Sequence, residues 1–274
     1  MLHEPLRIPD AKVSPPFTTE DSRHSFTDTL RTVKIETPEE RASYVKYLKN
    51  DLIPQMFMKA EQFSFQEYLA LAMYQGATAL EDGDYGIGAI YVVRAQGKET
   101  VIGGRNKILS QKNTHFHAEE DAIDNFEKLR NGDRIDPKNI LLQRASPPLN
   151  ESEDPNKVER FLVTTLEPCI GCTRRITSNK VDQVWIASPD VGVGAMLDGR
   201  EDQLPALWSD RVKRLQRHIP SDDPQSIYYV APEYKAEALV MFLSTQQEAD
   251  EEVRKLSIEP TLFHDAVRRS LRTT

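Results

Sequence analysis

The side chains best suited to chemistry fall in two short runs, His117-Ala118-Glu119 and Pro168-Cys169-Ile170-Gly171-Cys172. The chain has 2 cysteines in all, both in the second run. That usage excludes a disulfide framework and points to metal or redox chemistry at one place. Each run is predicted to open a helix. Cysteines at i and i+3 in a first turn aim both sulfurs at one spot, where exposed backbone N–H groups and the helix dipole favour thiolates. One imidazole and two thiolates make a three-ligand zinc set whose fourth position is left to water, the arrangement of a catalytic zinc. Glu119 lies in the same first turn as His117, placed to take a proton from that water and give it to a leaving amine. A lone C-x-x-C also suits a redox pair or half of a four-cysteine ribbon. No second pair exists to complete a ribbon, and the aromatic-Cys-Gly-Pro-Cys of a thioredoxin-like loop is missing.

Two helix starts far apart in the chain need a scaffold to bring them together, and the patterning predicts one. In SFQEYLALAMYQGATAL, Phe65, Tyr68, Leu69, Ala72 and Met73 recur at helical spacing and mark one buried face, with Gly83 as the stop. GIGAIYVVRA and ETVIGGRN, joined by AQGK, read as a β-hairpin. HAEEDAIDNFEKLR is an amphipathic helix closed by Gly132. VERFLVTTL, CIGCTRRITSNK and VDQVWIASPD then read as strand, helix and strand, which implies parallel neighbours joined by a crossover. Thr37, Pro38 and the acids after them predict an earlier helix ending near Pro54. Residues 131–157, with Pro137, Pro147, Pro148 and Pro155, read as a surface insertion in which NILLQ has the character of a short strand.

The two runs resemble the H-x-E and P-C-x-x-C signature of the cytidine-deaminase-like zinc deaminases, a signature already known for that chemistry. The hairpin with Asn106 in IGGRNK and the phrase VTTLEPCIGC resemble most the branch of tRNA adenosine, guanine, deoxycytidylate and riboflavin-pathway deaminases. The resemblance spans about residues 64–200. It implies an α/β fold, a three-layer α/β/α sandwich with a five-strand mixed sheet. It implies one zinc per chain on His117, Cys169 and Cys172, proton transfer by Glu119, a homodimer, and substrate contacts at Asn106 and Pro168. His115, two positions before His117, reads as a pocket-rim residue and a further substrate contact. The chain departs from the family pattern in its long stretch between the two runs and in the roughly sixty residues before the first core helix.

These features predict three parts: an N-terminal arm and helix over 1–63, a deaminase core over 64–200, and C-terminal helices with a last strand over 201–274. The formal charge of −8 offers no general attraction for a polyanion. The runs Lys213-Arg214 and Arg268-Arg269 read as solvated helix faces. A small nucleobase-type substrate is therefore favoured over nucleic acid. An RNA-editing deaminase and a noncatalytic zinc-bearing partner subunit are the alternatives, and the presence of Glu119 speaks against the latter. No basic run followed by an apolar one opens the chain, and no apolar stretch is long enough for a bilayer, so a cytoplasmic protein without membrane contact is expected.

Overall fold

Thr37 starts the first helix by a reciprocal cap. Its hydroxyl accepts from Glu40 N at 3.1 Å while its own N–H donates to Glu40 Oε2 at 3.0 Å, and Pro38 fills the first position. In the computed structural model, which describes residues 37–146, 158–188, 194–196 and 240–244 with residues 35, 190 and 238, this helix is α1 (Pro38–Tyr47). It does not end near Pro54. The backbone widens into a π-helical turn over Leu48–Leu52 and resumes as α2 (Ile53–Lys59). Pro54 is the second residue of α2, directly after the wider turn, so its missing N–H falls at the joint between the two helical segments.

The core helix α3 (Phe65–Glu81) is capped by Ser64, whose hydroxyl accepts from Glu67 N at 3.3 Å. The spacing predicts one buried face, yet two are buried. Tyr68 and Ala72 pack on sheet residues Ile90, Val92, Val101, Phe161 and Val163. Leu69, Met73, Ala77 and Leu80 pack outward on Val45, Leu48, Ile53 and Met56 of the N-terminal helices. Those helices cover what would otherwise be a solvent face.

The sheet holds β1 (Gly88–Ala95), β2 (Lys98–Arg105), β3 (Ile140–Ala145), β4 (Val158–Leu166) and β5 (Gln183–Ser188), in spatial order β3-β2-β1-β4-β5. The β4–β5 pair is parallel and the others antiparallel. The hairpin turns at Gln96 and Gly97, both at positive φ, as a two-residue turn matched to strand twist requires. Alternation divides the strands between two faces. Ala89, Tyr91 and Leu162 face α4 (Ala118–Arg130) and α5 (Ile170–Ser178), where Ala118, Ala122, Ile123, Cys172 and Ile176 join them. Ile90, Val92 and Val163 face α3. The result is the three-layer α/β/α arrangement.

The stretch read as an insertion is in part sheet, because Ile140–Ala145 forms the edge strand β3. An ionic network ties this edge to α3. Arg144 forks onto Glu67 at 2.7 Å and donates to Glu99 Oε1 at 2.8 Å. Glu99 is buried and also receives Tyr68 Oη and, at 2.8 Å, Arg94 Nε. Five strands are thus present without SIYYVA, the expected last strand, which lies outside the described residues together with most of the C-terminal helices. No helix among the described residues is long and apolar enough to cross a membrane.

Candidate active site

Both helices of the second layer begin on a metal-binding type of residue. His117 is the N-cap of α4 and Cys169 the N-cap of α5, each in extended backbone, and neither side chain is spent on capping. Gly104 on β2 lets the first turn of α4 lie against the sheet. A Cβ there would sit 2.2 Å from Ala122 N and 2.3 Å from Ala118 O. Ligand atoms of His117, Cys169 and Cys172 all come within 4.8 Å of one another, and Cys169 Sγ lies 3.8 Å from His117 Nδ1. The Thr114 carbonyl, 3.1 Å from His117 Nε2, takes the ring's N–H and leaves Nδ1 as the electron-pair donor.

Glu119 is buried beside them. Thr164 Oγ1 donates to its Oε1 at 3.2 Å and the Cys172 thiol to its Oε2 at 3.4 Å. Burial, reinforced by the Cys169 anion, pushes the Glu119 carboxyl up to about 7. A hydrogen bond from Cys172 holds the Cys169 thiol down to about 4, against burial and with help from His117. Burial would lower His117, but the hydrogen bond and charge of Cys169 prevail and raise it to about 9. The Cys172 thiol, whose one proton is shared between Glu119 Oε2 and the Cys169 sulfur, is raised first by the Cys169 hydrogen bond and then by burial. The protein groups by themselves therefore hold more anionic capacity than one imidazolium balances. A dication matches this donor set of one nitrogen and two sulfurs, and it relieves the competition for protons.

Residues 64–188 match the family model of the cytidine and deoxycytidylate deaminase zinc-binding region. This stretch of the chain is a deaminase zinc-binding region.

No match is found among curated protein sequences. Among solved structures, a study of tRNA:A34 deaminases that edit the wobble position gives a chain 21% identical, covering 51% of this chain and 89% of that one, with a TM-score of 0.36. Guanine deaminase from Nitrosomonas europaea is 15% identical over 90% of this chain and 99% of that one, with a TM-score of 0.36. The dCMP deaminase of cyanophage S-TIM5 is 17% identical over 57% and 87%, with a TM-score of 0.22. Likenesses this distant carry no argument about substrate.

The remaining residues singled out in the sequence are spread around the deaminase region. Pro168 is buried, and its carbonyl accepts from Ala195 N at 3.0 Å and Thr173 Oγ1 at 3.4 Å. Asn106 is buried after β2 and donates its backbone N–H to Ile87 O at 3.0 Å. His115 is exposed on the loop before α4 and is not in the metal-binding group.

Two neighbours of the site escape sequence reading. Thr164 is one of two hydroxyls in the buried run Phe161–Leu166 of β4. Glu167 accepts from Asp190 N and Met196 N, both at 3.1 Å, and so straps residues 194–196 over Pro168 and Cys169. A Cβ on Gly194 would come 2.2 Å from the Glu167 carboxyl carbon. The deaminase region also has a cleft of about 580 Å³ along α4, with Lys107, Phe116, Asp121, Asn125 and Lys128 in its wall. None of His117, Glu119, Cys169 and Cys172 lines it.

Proposed function

We propose that this chain is a zinc-dependent hydrolytic deaminase that converts a ring amino group of a nucleobase, nucleoside or nucleotide to a carbonyl. The convergence of Glu119 with His117, Cys169 and Cys172 carries the reading. His117 through Nδ1, and Cys169 and Cys172 through their sulfurs, would hold zinc. Zinc there supplies Lewis acidity and a water-derived nucleophile near neutral pH.

Glu119 does the proton work. Its Oε2 receives the proton lost from water as oxygen adds to the amino-bearing ring carbon, and it delivers that proton to the nitrogen as the carbon–nitrogen bond breaks. The hydroxyl proton left on the added oxygen passes to the neighbouring ring nitrogen, so water and ring amine become ring carbonyl and ammonia with atoms and charge balanced. The raised carboxyl suits a group that must accept and then release one proton. The Thr164 hydroxyl, shared between Glu119 Oε1 at 3.2 Å and the Leu166 carbonyl at 3.0 Å, faces the other carboxylate oxygen.

Asn106 belongs to the proposal as a substrate contact. Its Oδ1 accepts from Ile108 N at 3.1 Å, while Nδ2 has no partner among the described residues. Pro168 and His115 are assigned as wall and rim of the substrate site, on the resemblance and on their place beside Cys169 and His117. The family resemblance also supports a homodimer, a core over residues 64–200 and extensions on either side. Ammonia release over free bases, nucleosides, nucleotides and transfer RNA, with zinc analysis of the purified chain, tests the reading. Release from one small-molecule class and about one zinc per chain is expected. An active zinc-free chain refutes it, and activity on transfer RNA alone transfers the assignment to RNA editing.

A further inference from the structure

We propose that Asp121 is a positioning residue that presents Asn106 to the substrate, by clamping the chain on both sides of it. The proposal rests on the deaminase reading above. Asp121 Oδ2 accepts the backbone N–H of Arg105 at 3.1 Å, and Oδ1 accepts Lys107 Nζ at 2.7 Å. One carboxylate thus spans the residue between them. Asn106 is 1% exposed and Asp121 9% exposed, and Asp121 and Lys107 also stand in the wall of the cleft along α4.

Three further bonds leave Asn106 little freedom. Its N–H is held by Ile87 O, its Oδ1 by Ile108 N, and Lys107 N donates to Phe116 O at 2.9 Å. Phe116 immediately precedes His117. Asn106 therefore keeps one unspent donor, the Nδ2 amide, in a fixed frame. A ring carbonyl, ring nitrogen or sugar hydroxyl is an acceptor such a fixed donor can meet.

The clamp also explains how two ends of the site keep register. Asp121 stands on α4, the same helix whose start carries His117 and Glu119. The proton-carrying carboxylate and the binding amide are thereby referred to one rigid element, although Asn106 lies on the other side of a loop. A positioning role of this kind governs how well substrate is held, not how the proton moves.

The test compares wild type with Asp121→Ala, Lys107→Met, Asn106→Ala and the Asp121→Ala/Asn106→Ala double variant. The substrate is the one found by ammonia release. Asp121→Ala and Lys107→Met are each expected to raise KM about tenfold, to change kcat less than about threefold, and to keep zinc. Asp121→Ala should add nothing to Asn106→Ala. Losses that multiply in the double variant, fall on kcat or follow loss of zinc overturn the proposal. Lys107→Met removes one arm of the clamp without touching α4, so it decides the matter if Asp121→Ala misfolds. Hydrogen exchange reads the clamp without any substrate. The Arg105 and Ile108 amides should exchange about tenfold faster in Asp121→Ala, and unchanged exchange refutes the clamp. A wild type inert on every amine tested brings down the deaminase reading, while exchange still decides the clamp.

Discussion

Gly104→Ala is the sharpest test of how the fold builds the metal site, because one methyl group should disturb a ligand it never touches. The new Cβ would sit 2.2 Å from Ala122 N and 2.3 Å from Ala118 O. Both are backbone atoms of α4, so no side chain can rotate away. Restoring ordinary contact needs about 1 Å of separation between the first turn of α4 and β2 in a densely packed layer. Overpacking of that size costs about 1–3 kcal/mol, or roughly 2–5 °C in Tm for a chain of this length. His117 is the N-cap of the displaced helix, and its Nδ1 lies 3.8 Å from Cys169 Sγ. A comparable shift in a ligand's support typically weakens zinc about 10–100-fold. Competition with a chelator reads the affinity and thermal unfolding reads the stability. Gly97→Ala is the control, since its Cβ meets nothing within 4 Å although its φ is +70°. It should lose about 1 kcal/mol from backbone strain and leave zinc affinity unchanged. Gly104→Ala with parental zinc affinity would refute the idea that β2 sets the height of α4.

Glu119→Gln removes the proton carrier but keeps its shape. Zinc content should stay at the parental level while kcat falls by about 10²–10⁴-fold, measured as ammonia release under saturating substrate. Glu99→Gln neutralises the buried centre of the network joining α3, β2 and β3. With Arg94 and Arg144 still 16–17% exposed and thus partly screened, the loss should be about 2 kcal/mol by urea unfolding, with zinc retained. Burial raises Tyr91 to about 12 and raises Tyr68 further, Tyr68 being assisted by its hydrogen bond to Glu99. A folded value above the unfolded one of about 10 means the neutral phenols favour the fold fully below pH ~10. That contribution is lost as pH rises from there to about 12 for Tyr91. Phenolate absorbance of these two tyrosines should therefore appear together with alkaline unfolding, and their titration in an intact fold would contradict the burial.

Much of the scaffold was legible because its signals are local. The hairpin, the two helices that begin at His117 and Cys169, and the strand–helix–strand around Cys172 follow from periodicity and from turn and cap chemistry within a few residues. The parallel β4–β5 pair follows because a short crossover helix permits little else. The second buried face of α3 was not legible, since a helix sequence does not reveal whether α1 and α2 will cover its outer side. β3 was legible in part, since NILLQ has strand character, but its place at the sheet edge came only from pairing with β2 and from Arg144 reaching Glu67 and Glu99. The passage of the helix through Pro54 depended on a wider turn that composition does not announce.

The donor types are properties of the sequence: one imidazole, two sulfurs and one carboxylate, with the cysteines set at one helical turn. Local spacing and side-chain chemistry suffice for that, because the i, i+3 geometry of a helix start is the same in any fold. That His117 and Cys169 meet at all, 52 residues apart, was decided by the sheet that seats both helix starts on one edge. The same holds for Thr164, Glu167 and Asp121, common residue types that gain meaning only from partners far along the chain. The proton state of Glu119 belongs to this second group. Its raised carboxyl comes from burial and from the Cys169 charge, and both exist only once the layers have closed.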